Sequence, residues 1–132
     1  MEFGYVSWST NTEVVDKWNE GLTQGKILAT QCKNCGKVFL PPRGDCPCGK
    51  EDIEWLEMNP EATLFTYCVI MFAPESMSDK APYVVAIGEF DNGARLLAHL
   101  FANPNAIEVG MKIKLVPQQL DKNRVTIKYV PL

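Results

Sequence analysis

Four of the chain's five cysteines fall inside "CKNCGKVFLPPRGDCPCGK", residues 32–50. Cys32 and Cys35 have the C-x-x-C spacing of a metal knuckle, and Gly36 follows where a positive φ is often needed. Cys46 and Cys48 have only Pro47 between them, with Gly49 following in the same way. A C-P-C chelate is tighter, and Pro47 has no N–H to offer a sulfur. Both thiolates still reach one ion. Zinc in structural sites takes four tetrahedral ligands, and thiolates suit it best. Cys32, Cys35, Cys46 and Cys48 are therefore expected to hold a structural Zn2+. Such a closed shell leaves no position for a substrate. The competing readings are a site with altered ligands, free thiols, or disulfides. A Cys46–Cys48 disulfide closes a small strained ring, and bridges between the pairs need an oxidising compartment.

Little else in the chain could do chemistry. Cys68 lies in an apolar run, where a free cysteine is expected to be a small buried hydrophobe rather than a nucleophile. His99, the sole histidine, alternates with apolar neighbours in "LLAHLF" and is expected to sit on a strand face, satisfied by a hydrogen bond. One histidine gives no obvious triad. The glycines are scattered at turns, with no phosphate-cradling loop. No catalytic residue is assigned.

The elements that must hold the cysteines follow from periodicity. "STNTEVVDKWNEGLTQG" reads as a helix, with Thr10 and Glu13 as a capping box and Gly25 as the stop. Its apolar stripe is Val14, Trp18 and Leu22. "KILATQC", "KVFLPP" and "GDCPCGKEDIEWLEM" form a ribbon with two knuckles and few apolar residues, so a metal must supply its core. From Ala62 five strands follow: "TLFTYCVIMF", "YVVAIGEF", "RLLAHLF", "KIKLVPQQL" and "RVTIKYV". "DNG" marks a hairpin between the second and third, and "DKN" a turn between the last two. The longer connection "ANPNAIEVG" suits a five-stranded Greek-key barrel of the OB type; a half-sandwich would give a similar pattern. The fold class is thus mainly β: an N-terminal helical segment (1–25), a rubredoxin-like zinc ribbon (26–60) and an OB-fold barrel (61–132).

Composition narrows the function. A chain of 132 residues can bury a core without disulfides. Its net charge of −3 argues against nucleic acid, whose binding draws on Lys and Arg. "MEFGYVSWST" lacks a basic start and apolar run, so no signal peptide is expected, and no run is long enough to span a membrane. A cytoplasmic location is expected, where thiols stay reduced.

The order of these parts resembles a known family. "GKILATQC", "PPR" between the knuckles, "PYVVAIGEFDNGARLLAHL" and "VGMKIKL" are similar to the small zinc-ribbon plus OB-fold proteins that accompany acyl-CoA enzymes, thiolases above all. The resemblance covers about Trp18 to Leu132. The short Cys46–Cys48 spacing departs from it, since the family usually has two residues there. The resemblance implies a non-catalytic accessory subunit in a hetero-oligomer with a thiolase-like enzyme. It supports partner assembly and the binding of a shared coenzyme A thioester, while the chemistry lies on the partner. An accessory subunit of a hot-dog-fold enoyl-CoA hydratase and a nucleic-acid-binding OB module are the alternatives.

Against that role, the helix stripe with Trp18 is either a partner surface or packed on its own barrel. Met71, Phe72 and Met77 border the long loop "APESMSDKAP", which in OB folds commonly edges the binding face. Arg43 in "PPRG" could meet a coenzyme A phosphate, but is expected more to tie ribbon to barrel through a carboxylate. Lys37, Lys50 and Arg95 are weaker candidates.

Overall fold

The computed structural model describes Tyr5 and residues 13–49, 52–121 and 124–132. Thr10, Lys50 and the turn residues Lys122 and Asn123 lie outside them. Helix α1 spans Glu13–Thr23. It ends in a Schellman motif: Lys26 N–H donates to Gly21 O at 2.8 Å and Gly25 N–H to Leu22 O at 3.0 Å. Gly25 takes φ 79°, which L side chains rarely adopt.

The ribbon is an antiparallel sheet of β1 (Leu28–Cys32), β2 (Val38–Phe39) and β3 (Ile53–Glu57), ordered β2-β1-β3. Then come β4 (Glu61–Ile70), β5 (Tyr83–Glu89), β6 (Arg95–Leu100), β7 (Lys112–Asp121) and β8 (Arg124–Pro131). They close a barrel in the order β4-β5-β6-β8-β7, which is the OB fold. Pairing is antiparallel except between β6 and β8, which run parallel.

Alternation builds the barrel interior. Val84, Ala86, Gly88 and Phe90 point in from the β5 side, and Leu96, Ala98 and Leu100 from β6. Leu64, Ile113 and Leu115 are at most 1% exposed. Each such side chain contributes about 1.5–3 kcal/mol by leaving water. Tyr129 is wholly buried and donates its hydroxyl to Leu96 O at 2.9 Å. Its ring lies where a Cβ on Gly88 would be, 2.6 Å from Oη, so residue 88 must lack one.

The "DNG" hairpin is wider than a two-residue turn. Phe90 N–H donates to Ala94 O, and only Gly93 takes a positive φ. Three residues, Asp91–Gly93, make the loop, as in a type I turn with a glycine bulge. The expected strand stops at Ile70, short of Phe72, and the expected loop 73–82 contains a 3₁₀ turn at Glu75–Lys80, closed by Met77 N–H to Pro74 O at 2.9 Å.

Leu22, Ile27, Ala29, Leu40 and Met58 join the barrel residues in one core, with Trp18 packed against it. α1 packs against β1, β7 and β8. A Cβ on Gly21 would stand 2.7 Å from Leu28 Cδ1, so the helix lies directly on β1. The stripe Val14, Trp18, Leu22 therefore faces the chain's own core and ribbon, with Trp18 half-buried against them.

Candidate metal centre and docking face

β1 delivers Cys32 at its end, and the following turn returns Cys35 beside it. Cys32 N–H donates to Lys37 O at 2.9 Å, and Gly36 N–H to Cys32 O at 2.8 Å. In the second turn Gly49 N–H donates to Cys46 O at 3.0 Å. The first turn spans five residues, Cys32–Gly36, and the second four, Cys46–Gly49. That contraction absorbs the residue missing between Cys46 and Cys48. Gly36 (φ 78°) and Gly49 (φ 89°) provide the left-handed step at the end of each.

The structure brings the four sulfurs to within 4.8 Å of one another. Cys32 Sγ lies 3.8 Å from Cys48 Sγ, and Cys35 Sγ 3.4 Å from Cys46 Sγ. A zinc tetrahedron with bonds of about 2.3 Å has edges of about 3.8 Å, so the donor set fits the ion. All the thiols are free. Each pair places one thiol inside, Cys32 and Cys46, and one outside, Cys35 and Cys48.

The backbone prepares these sulfurs unequally. The N–H groups of Cys35 and Asn34 favour the Cys32 thiolate, and its pKa falls to about 7 despite burial. At Cys46 the Cys48 N–H favours the thiolate, so the position after Pro47 supplies the donor that proline lacks. Burial and the three neighbouring thiols outweigh it, and the Cys46 pKa is pushed up to about 12. Four crowded thiols cannot all ionise without a cation among them. Lys33 N–H, donating to Asp52 O at 2.9 Å, ties the first knuckle to the approach of β3.

Arg43 sits on this ribbon, not across to the barrel. Its N–H donates to the buried Thr30 Oγ1 at 2.9 Å. Its guanidinium pairs with Asp45 at 3.3 Å and lies over the Phe39 ring. The expected carboxylate partner is therefore two residues away in the same loop. Met71 and Phe72 are exposed, at 61% and 96%, while Met77 is half-buried.

Two expectations on the barrel fail. Cys68 is exposed, because the β4 register shift between Leu64 and Thr66 moves the alternation by one residue. Tyr67 and Val69 then face inward in its place. Among the described residues His99 makes a ring contact with Tyr83, centroids 4.9 Å apart, in place of the expected hydrogen bond.

The outer face of β4, β5 and β6 escaped the sequence reading. Cys68 pairs with Val85 and Val85 with His99; Ile87 pairs with Leu97, and Ile70 with Tyr83. These side chains alternate with the inward set and so form one apolar outer surface, with Leu97 59% exposed and Phe101 51%. The signal was present: "YVVAI" is continuously apolar rather than alternating, which marks a strand with both faces to be covered.

The same assembly of ribbon and barrel is known elsewhere. Sequence models described as the ChsH2 rubredoxin-like zinc ribbon domain and the ChsH2 C-terminal OB-fold domain match residues 20–54 and 55–118. The chain belongs to the ChsH2 (DUF35) family. Within that family it is 31% identical to a DUF35 domain-containing scaffold protein of Methanocaldococcus jannaschii, over 83% of this chain and 80% of that one. A protein of the same description from Methanothermobacter thermautotrophicus is 33% identical, over 80% and 81%. A probable enoyl-CoA hydratase alpha subunit of Thermomonospora curvata is 31% identical over 74% of this chain, but only 31% of its own length is matched. Among solved structures, a chain of the Ltp2-ChsH2(DUF35) aldolase superposes with a TM-score of 0.76 at 29% identity, covering 88% of this chain and 92% of that one. No helix among the described residues is long and apolar enough to cross a membrane.

Proposed function

We propose that this chain is a non-catalytic scaffold subunit of an acyl-CoA enzyme complex. In this reading Cys32, Cys35, Cys46 and Cys48 bind one structural Zn2+, and a reducing cytoplasm keeps them as thiolates. The observation that carries the docking role is the apolar outer face of β4, β5 and β6, where Leu97 is exposed beside the half-buried Val85 and Ile87. A contiguous apolar patch of this kind marks a protein interface. The relatives support an enzyme as the occupant. One is named as part of an aldolase with Ltp2, and in another, named as a probable enoyl-CoA hydratase alpha subunit, the matched region is 31% of the chain.

The enzyme subunit is of thiolase type in this proposal and carries the reactive groups. The Thermomonospora relative favours a second reading, in which the same face holds an enoyl-CoA hydratase. Coenzyme A thioester sharing belongs to the proposal too. The Arg43 guanidinium is about half exposed on the ribbon, where a phosphate could replace Asp45 by a bidentate contact. Co-expression with a thiolase-type acyl-CoA enzyme subunit from the same genome tests the reading. A stable hetero-oligomer is expected, with the enzyme subunit less active or insoluble alone. An enzyme fully active and stable without this chain contradicts it.

A further inference from the structure

The barrel has an open seam. β6 pairs with β5 along Arg95–Leu100, but β8 meets β6 only at His99–Lys128 and Leu100–Tyr129. The backbone alternation shows which groups this leaves over. Phe90 N–H bonds to Ala94 O within the β5–β6 hairpin, and Phe101 N–H bonds to Tyr129 O across the seam. Leu96 and Ala98 therefore aim their backbone groups at β5, while Arg95 and Leu97 aim theirs into the seam, where no strand receives them.

The seam is also a groove. A cavity of about 830 Å³ runs between Leu97 and His99 on one wall and Leu120 and Thr126 on the other, with Lys80 and Lys128 at its margins. Among the described residues no carboxylate lines it, although the chain as a whole is acidic. Neither lysine forms an ion pair among the described residues; Lys128 lies over the Phe101 ring at 4.8 Å. Open strand edges accept extended chains, and cationic margins select negative charge.

We propose that the seam between β6 and β8 binds an extended acidic peptide of the enzyme subunit as an added strand. Its backbone pairs with Arg95 and Leu97, its apolar side chains meet Leu97 and Leu120, and its carboxylates meet Lys80 and Lys128. The stretch Arg95–Ala98 accommodates about four residues, roughly 13 Å of strand. This inference rests on the docking role proposed above; the groove adjoins that face and shares Tyr83, Leu97 and His99 with it, while Val85 and Ile87 lie outside the groove.

The test is selection of a phage-displayed random peptide library on the zinc-loaded full chain, followed by amide hydrogen exchange with the best peptide. The expected result is peptides in which Asp or Glu alternates with apolar residues, with slowed exchange at Arg95 and Leu97. Backbone N-methylation of that peptide, and separately the Lys80→Glu/Lys128→Glu double variant, should each weaken binding at least tenfold. The inference is overturned by recovery of no peptide or only basic ones, by N-methylated peptide binding as well as the parent, or by protection elsewhere. A response of these amides to a coenzyme A thioester or a single-stranded oligonucleotide with no selected peptide also overturns it. A double variant that loses the peptide but still holds the enzyme subunit leaves the docking proposal standing. Ile87→Glu, which lies outside the groove, should do the reverse.

Discussion

In the barrel, Leu64, Ile113, Leu115 and Tyr129 are buried among neighbours from every strand. In the ribbon's own small cluster, only Cys32, Phe39 and Cys46 are buried, with Ile53 half-buried against them. Two of those three are sulfurs of the proposed metal site. The barrel can fold on apolar area alone. The ribbon has too little of it and must take its remaining stability from a metal and from the shared core at Leu22, Ile27 and Met58.

The largest expected effect separates the two regions. Structural zinc supplies about 10–16 kcal/mol in small zinc-binding peptides. Chelation, or Cys46→Ser, should therefore disorder residues 32–49 while the β4–β8 amides keep their dispersion in NMR spectra. Loss of the barrel signals together with the ribbon would remove the contrast. If only Cys32 and Cys35 prove necessary for zinc retention, the short second turn is not a chelate.

A barrel-only perturbation comes next. Gly88→Ala forces a Cβ to 2.6 Å from Tyr129 Oη, and overpacking of this kind costs about 1–3 kcal/mol. Denaturant melts should show that loss with zinc content unchanged. Acidification, by contrast, acts on the ribbon. Cys46 holds its proton up to about pH 12 in the metal-free site, so zinc must displace it throughout the neutral range. Zinc affinity should rise with pH by at least about tenfold per unit and fall correspondingly on acidification, as competition with a chromophoric chelator would reveal. A flat profile between pH 6 and 8 contradicts that ionisation order. The smallest effect is expected from Tyr129→Phe, which removes one buried hydrogen bond worth about 1 kcal/mol. A melt unchanged by it would mean that the Leu96 carbonyl is satisfied without the hydroxyl.

The same contrast explains what could be read from sequence. Cysteine spacing and the Cys-Gly repeats are local signals, and they placed four sulfurs that the structure brings together. Strand order in the barrel followed from turn residues and one long connection. The failures are tertiary. A helix stripe looks the same whether it meets a partner or its own core, so Trp18 could not be assigned. Cys68 turned outward through a one-residue register shift that no periodicity announces. Arg43 found its carboxylate in the next residue but one, where a distant partner had been expected. The apolar outer face stayed hidden because apolar strands were credited wholly to the interior, although Val84 and Val85 cannot both point there.

The central claim is that the barrel's outer face holds an acyl-CoA enzyme subunit while the ribbon serves as a metal staple. Light scattering after size exclusion, on the chain co-expressed with a thiolase-type acyl-CoA enzyme subunit from the same genome, tests this most directly. The account predicts a hetero-oligomer that Ile87→Glu dissociates without altering zinc content or the melt of the isolated chain. A complex of unchanged mass and stability with Ile87→Glu, or no complex with the native chain, would contradict it.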